Sequence, residues 1–121
     1  MVKVLIAEDS NVDAKYIESI LSNKEYNLVF AKDGEEAENL LKQEKFDLVI
    51  LDVVMPKKNG FQICREIKKN DETKDIPVIL VTSKSEDADK FWGKMQGADE
   101  YIIKPFEPID LLVAIKKCLK K

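Results

Sequence analysis

The sequence predicts a one-domain α/β fold in which helices cover both faces of a parallel β-sheet, and two observations support this. Short apolar runs rich in β-branched residues recur, separated by segments with the 3.6-residue period of a helix. Several runs are apolar at consecutive positions, as in strands buried on both faces. Right-handed crossovers between such strands produce a doubly wound sheet. The runs lie at 2–7 (VKVLIA), 27–31 (NLVFA), 47–51 (DLVIL), 77–82 (PVILVT) and 100–104 (EYIIK).

A helix is predicted after each strand, from apolar residues three or four positions apart. The element order is therefore β-α repeated five times, and we expect each apolar face to pack on the sheet. In chain order the faces are Ala14, Ile17, Ile20 and Leu21; Ala37, Leu40 and Leu41; Phe61, Cys64 and Ile67; Ala88, Phe91, Trp92 and Met95; and Leu112, Ile115 and Leu119.

Polar residues mark where several of these helices begin. Ser10 is followed three residues later by Asp13, and Asp33 by Glu36, which is the spacing of a capping box. Ser85 is predicted to cap the fourth helix. These signals set the helix starts close to the strand ends.

Composition excludes several classes of function. The net charge of -3 offers no general attraction to nucleic acid or to an anionic membrane. No apolar run approaches a membrane span, and the first residues enter a strand without the pattern of a signal peptide. The two cysteines, Cys64 and Cys118, lack metal-binding spacing and predict buried thiols in a reducing, cytoplasmic setting. The chain has no histidine, which removes the commonest general base.

Chemically active side chains follow the strands at their carboxyl ends. Those ends meet at one edge of a parallel sheet, where such folds place their ligands. Three acids, the Thr82 hydroxyl and an ammonium are therefore expected to converge, although they are far apart in the chain. The residues are Glu8 and Asp9, then Asp52, then Thr82 and Ser83, and finally Lys104 followed by Pro105.

Four motifs in this order resemble the receiver domain of two-component response regulators, of the chemotaxis CheY kind: AEDS (7–10), LDVVMP (51–56), VTS (81–83) and YIIKPF (101–106). The resemblance spans the chain and implies strand order 2-1-3-4-5, the order that CheY exemplifies. It implies a stand-alone receiver over residues 1–121, with no room for an output domain. It also implies phosphorylation by a histidine kinase or histidine phosphotransfer protein, and no metabolic turnover.

The resemblance assigns the phosphoryl chemistry to the acids. Asp52 would be the nucleophile and the phosphorylated residue, which needs no general base because a carboxylate is already ionised. Asp9, Asp52 and the Val54 carbonyl would bind Mg²⁺ directly, and Glu8 through a water. Neighbouring carboxylates repel one another, and a hard cation that keeps several waters relieves that repulsion.

The resemblance also assigns the switch. Lys104 would neutralise charge on the phosphoryl oxygens, aimed by a cis peptide to Pro105, and Thr82 would bind a phosphoryl oxygen after transfer. Tyr101 would rotate into the space that Thr82 leaves. The surface of helix 4, strand 5 and helix 5 would then change and engage an unknown downstream protein, as a monomer or as a phosphorylation-dependent dimer.

Some positions depart from the commonest family pattern. Ser83 stands where alanine is frequent, and neither Val54 nor Lys84 can orient a water for attack, so we expect slow self-dephosphorylation. Gly93 within the fourth helix costs about 1 kcal/mol against alanine and indicates close packing or an interaction surface. For Phe91 and Trp92, core packing and partner contact both remain open.

Three other functions fit the sequence less well. A haloacid-dehalogenase-like phosphatase also uses an aspartate and Mg²⁺, but it needs a second aspartate where Val54 stands. A flavodoxin-like FMN carrier needs a phosphate-binding loop after the first strand, and AEDSNVD (7–13) is acidic. A receiver-like protein that signals without phosphate is disfavoured by the intact Asp52, Thr82 and Lys104.

Overall fold

The computed structural model describes residues 1–22 and 25–120. Within these ranges five strands alternate with five helices, which confirms the predicted order. The strands are β1 (Val2–Ala7), β2 (Tyr26–Ala31), β3 (Leu48–Asp52), β4 (Val78–Thr82) and β5 (Glu100–Ile103). The helices are α1 (Asn11–Leu21), α2 (Gly34–Gln43), α3 (Gly60–Lys69), α4 (Asp87–Met95) and α5 (Pro108–Leu119).

The strands form one parallel sheet in the order β2-β1-β3-β4-β5, as the resemblance implied. Its register levels the carboxyl ends of the central strands. Ala7 pairs with Leu51, Asp52 with Val81, and Thr82 with Ile103. The residues that follow these ends are therefore brought to one edge.

Successive residues of each central strand enter two different cores. Val4 and Ile6 join the core beneath α1 and α5, whereas Leu5 and Ala7 join the core beneath α2 and α3. Every residue of β3 and β4 is buried. This burial explains the uninterrupted apolar runs, because a strand covered on both faces has no solvent side to populate with polar residues.

Helix α5 faces the sheet one position away from the predicted stripe. Leu111, Ala114, Ile115 and Cys118 are buried, whereas Leu112 is half-buried and Leu119 is 38% exposed. The prediction was therefore only partly correct. A helix with apolar residues on more than one side leaves its rotation to be decided by packing.

The stripe predicted for α4 points to solvent. Phe91 is 64% exposed and Met95 62%, and Trp92 and Ala88 are also exposed, so the stripe does not pack on the sheet as expected. Core packing, one of the two alternatives left open for Phe91, is therefore not observed. Among the described residues of α4, Gly93 alone is buried. The helix packs through this glycine and turns its largest apolar side chains outward.

The start of α4 also differs from the prediction. Glu86, and not Ser85, occupies the N-cap position, and its side chain makes no capping hydrogen bond. The other two predicted caps are confirmed, because Ser10 accepts from the Asp13 amide and Asp33 from the Glu36 amide. A further capping box joins Asn59 and Gln62 at α3.

Cys64 and Cys118 are both buried thiols, as predicted. Across residues 1–22 and 25–120, every helix is too short or too polar to cross a membrane.

Candidate functional site

Alternation along the strands sorts the predicted site residues onto two faces of the sheet. Glu8, Asp52 and Lys104 continue the alternation of Ile6, Ile50 and Ile102, which face α1 and α5. Thr82 and Tyr101 alternate toward the α2 and α3 side, where Tyr101 packs against the core. Glu8, Asp52 and Lys104 thus lie on the opposite side of this edge from the expected switch residues, Thr82 and Tyr101.

The ammonium of Lys104 lies among carboxylates. Its Nζ donates to Glu8 Oε1 at 2.7 Å, to Asp13 Oδ2 at 2.8 Å and to Asp52 Oδ2 at 3.3 Å. Glu8 is 5% exposed and Asp52 7% exposed, so both carboxylates are largely withdrawn from water. The predicted convergence of Glu8, Asp52 and Lys104 is therefore observed.

Asp9 completes an acidic cluster beside this ion pair. One carboxylate oxygen each from Glu8, Asp9 and Asp52 lies within 4.8 Å of the others, and Asp9 is exposed. Such a set of hard oxygen donors, with one open side, fits Mg²⁺, which binds few protein ligands and keeps several waters. The donor chemistry therefore fits the cation that the sequence predicted.

Backbone hydrogen bonds of the loop after β3 fix the position of Asp52. The Val54 amide donates to Asp52 Oδ1 at 3.2 Å, and the Gly60 amide donates to the Val53 carbonyl at 2.9 Å. A Cβ on Gly60 would lie 2.4 Å from the Asp52 carbonyl oxygen, so only glycine permits this approach of α3. Backbone groups thus contact Asp52 at two points: the Val54 amide at its carboxylate, and Gly60 of α3 at its carbonyl oxygen.

Burial and crowding of negative charge change the acid strength of Glu8. Burial raises its pKa to about 7, the bond from Lys104 opposes that rise, and neighbouring Asp52 adds to it. Burial alone would lower the pKa of Lys104, but its bonds to Asp13 and Glu8 raise it, so the ammonium stays charged. Without a bound cation, Glu8 therefore takes up a proton more readily than an ordinary glutamate.

Sequence reasoning missed the role of Asp13. The sequence indicates Asp13 only as the partner of Ser10 in a capping motif, yet its side chain reaches Lys104, 91 residues away. The available signal was its place in the first turn of α1, the helix that covers the face shared by Glu8 and Lys104. An acid there is close to the strand ends.

The expected switch residues meet at the backbone of Lys84. Thr82 is fully buried and its Oγ1 accepts from the Lys84 amide at 3.2 Å. The hydroxyl of Tyr101 donates to the Lys84 carbonyl at 2.8 Å. One peptide segment of the β4–α4 connection therefore links both side chains.

The ring of Tyr101 explains the glycine in α4. A Cβ on Gly93 would lie 2.9 Å from Cδ2 of Tyr101 and 3.2 Å from Cδ1 of Leu80. Close packing against the tyrosine, one of the two explanations considered for Gly93, is therefore observed.

The segment after β5 has two further attachments. The Lys104–Pro105 peptide is cis, as the resemblance implied. Tyr16 of α1 donates to the Phe106 carbonyl at 2.7 Å, and the two rings pack with centroids 5.3 Å apart. Helix α1 thus contacts the lysine side chain through Asp13 and the following loop through Tyr16.

The remaining predicted positions lie at the rim. The Val54 side chain is 55% exposed and apolar, and both Ser83 and Lys84 are exposed. An apolar group at Val54 cannot hydrogen-bond a water molecule. The arrangement can present the buried Asp52 carboxylate as a nucleophile and stabilise an incoming anion through Lys104.

Known proteins are similar to this chain in sequence. The family profile described as response regulator receiver domain matches residues 4–116. Protein PilH of Pseudomonas aeruginosa is 40% identical over 98% of this chain and 98% of its own length. The probable transcriptional regulator ycf27 of Guillardia theta is 44% identical over 98% of this chain and 46% of its own length. This chain therefore spans about half the length of several curated relatives that it matches.

Solved structures agree with the observed fold. The chemotaxis response regulator CheY4 of Vibrio cholerae superposes with a TM-score of 0.90 at 30% identity, over 98% of each chain. The family profile covers most of the chain, and the strand order is that of CheY-like folds. This chain therefore belongs to the response regulator receiver domain family, whose members are signalling modules.

Proposed function

We propose that this protein accepts a phosphoryl group on Asp52 from the phosphohistidine of a sensor histidine kinase or a histidine phosphotransfer protein. The observation that supports this most is the buried Asp52 carboxylate, 3.3 Å from the Lys104 ammonium at the edge of the sheet. A buried carboxylate beside a fixed cation is poised to attack an anionic phosphoryl group, since the cation offsets their repulsion.

In the proposed step, an Asp52 carboxylate oxygen attacks phosphorus and the bond from phosphorus to the donor's imidazole nitrogen breaks. The imidazole leaves with the bonding electron pair and takes up a proton, so no base from this chain is required. Lys104 donates to the transferred oxygens. When bound by Asp9, Asp52 and the Val54 carbonyl, with Glu8 through a water, Mg²⁺ would offset the remaining negative charge.

The acyl phosphate would change the bonding of Thr82. A phosphoryl group brings a charge of about -1.5 to -2 and strong acceptor oxygens. If the Thr82 hydroxyl turns to a phosphoryl oxygen, its hydrogen bond with the Lys84 amide breaks. The Lys84 segment can then shift, which weakens the hydrogen bond from the Tyr101 hydroxyl to the Lys84 carbonyl. This shared segment supports the coupling of phosphorylation to Tyr101.

The surface that responds would be that of α4, β5 and α5. Apolar side chains are exposed there on both helices, and Tyr101 lies between them on β5. They are Phe91, Trp92 and Met95 on α4, and Ile109 and Val113 on α5. This surface suits a downstream protein, or a second copy bound only after phosphorylation.

We further propose that residues 1–121 form one receiver domain, because Protein PilH matches over nearly its whole length. The buried thiols of Cys64 and Cys118 suit the reducing cytoplasm. The apolar Val54 at the rim supports slow loss of the phosphoryl group. No observation favours a phosphatase or an FMN carrier.

The test is modification of the intact chain by acetyl phosphate with Mg²⁺, followed by mass spectrometry. We expect one phosphoryl group on Asp52 and none in Asp52→Asn, which keeps the shape of the side chain. Asp71→Asn, on the exposed loop after α3, is the matched control and should be modified normally. An unmodified wild-type chain, or equal modification of Asp52→Asn, would refute the proposal. Loss of the phosphoryl group from Asp52 within seconds would contradict the expected long lifetime of the phosphorylated protein.

A further inference from the structure

The three contacts of Lys104 are not equal. Its Nζ lies 2.7 Å from Glu8 and 2.8 Å from Asp13, but 3.3 Å from Asp52. The ammonium is therefore bound more closely by the two residues that would not carry the phosphoryl group. An ammonium has three N–H donors, and in this arrangement each of them points to a carboxylate.

The two closer partners differ in their freedom to let go. The Glu8 side chain is 1% exposed, whereas that of Asp13 is 41% exposed. A buried carboxylate that loses its cation pays a large desolvation cost, but an exposed one is solvated by water instead. Of these two, Asp13 is the partner that can release Lys104.

The backbone near Asp13 is held independently of its side chain. The Asp13 amide donates to Ser10 Oγ, and α1 begins at Asn11 just after the acidic loop. The carboxylate is thus presented from the first turn of the helix. Its removal leaves the helix cap intact.

From this geometry we propose that Asp13 is the counter-ion of Lys104 in the unphosphorylated protein. Asp13 competes with the phosphoryl group for the Lys104 ammonium and so weakens phosphoryl binding at Asp52. The inference rests on the proposed function of Asp52. Two effects act in the same direction. Asp13 occupies a donor of Lys104, and its negative charge lies close to the site of an incoming dianion.

The expected size follows from exposure. Partly exposed ion pairs in proteins change equilibria by about two- to five-fold. Asp13→Asn keeps the shape of the side chain and removes its charge. We therefore expect this variant to bind beryllofluoride, a phosphoryl mimic, about two- to five-fold more tightly than the wild-type chain at fixed Mg²⁺.

Helix α1 provides a matched control in Glu18. This residue is exposed and makes no ion pair within the described part of the chain. Glu18→Gln removes the same charge from the same helix without touching Lys104. Its beryllofluoride affinity should equal that of the wild type, and the gain in Asp13→Asn should shrink as salt is raised.

The experiment titrates beryllofluoride into each intact chain at low and high salt, read by Trp92 fluorescence and by calorimetry. Unchanged or weaker binding by Asp13→Asn would overturn the proposal, because Asp13 would then be neutral or a positioning residue that aims Lys104. An equal gain in Glu18→Gln would also overturn it, since net charge alone would explain the effect.

A second measurement separates this inference from the function on which it rests. Nuclear magnetic resonance of the Lys104 ammonium, without phosphoryl mimic or Mg²⁺, should show faster hydrogen exchange in Asp13→Asn than in Glu18→Gln. The same exchange rate in both would refute the ion pair even if Asp52 is phosphorylated. Failure of the wild-type chain to bind beryllofluoride would refute the function of Asp52, and the competition with it.

Discussion

The metal-free protein should lose stability as the pH rises from about 4.5 to about 7, because Glu8 holds a proton more tightly in the folded chain than in the unfolded one. Burial, with the nearby Asp52 charge, raises the Glu8 pKa from 4.5 to about 7. Below pH 4.5 the carboxyl is protonated in both states. Between the two values only the unfolded chain releases the proton, so unfolding becomes more favourable. Above pH 7 both states are ionised and the loss is complete.

The size of this loss follows from the two pKa values. Each pH unit over which one state holds a proton and the other does not is worth about 1.4 kcal/mol at 25 °C. The difference between 4.5 and about 7 therefore corresponds to about 3 kcal/mol of unfolding free energy. This is a large part of the total of about 5–15 kcal/mol that holds a typical domain together.

The assay is urea unfolding in EDTA at several pH values between 4.5 and 8, followed by circular dichroism. Other carboxyl groups titrate nearby, so the quantity to compare is the difference between the wild type and Glu8→Gln, which cannot ionise. That difference should shift by about 3 kcal/mol in favour of the variant as the pH rises. Parallel curves for the two proteins would refute the account, because Glu8 would then titrate normally in the folded chain.

Three further predictions concern the supports of the site. Gly60→Ala should destabilise the protein by about 1–3 kcal/mol in urea unfolding, since the new Cβ meets the Asp52 carbonyl oxygen at 2.4 Å and backbone cannot yield cheaply. Gly93→Ala should fail to gain the ~1 kcal/mol that alanine adds to a helix, and near-ultraviolet circular dichroism should report a displaced Tyr101 ring; a full gain with an unchanged spectrum would contradict this packing. Phe91→Ser should alter the unfolding free energy by less than about 0.5 kcal/mol, and a loss of 2 kcal/mol or more would mean that α4 is turned the other way.

Much of the architecture follows from local pattern. Runs such as 48–51 are apolar on consecutive positions because a central parallel strand is buried on both faces, so strand identity and layer order are readable directly. Acids and a lysine placed just after such runs predict a polar edge, because carboxyl ends of parallel strands meet there. The sequence alone therefore predicts that Asp52 and Lys104 lie at this edge.

The rotation of α4 was not readable in this way. Its stripe of Phe91, Trp92 and Met95 has the spacing of a buried face, but exposure depends on which side the sheet accepts. Gly93 provides the only surface of α4, within the described residues, that lets the Tyr101 ring approach closely. A missing side chain leaves no hydrophobic signal, so periodicity pointed to the wrong face.

The sequence by itself determined the strand order through its family motifs, the two-sided core and the nature of the polar edge, because these depend on residue types at local spacing. Tertiary structure alone decided that Asp13 reaches Lys104 and that Glu8 holds its proton to about pH 7. Both depend on the approach of distant segments and on the exclusion of water. Neither quantity is set until the chain has folded, because an ion pair and a desolvation cost belong to the packed site.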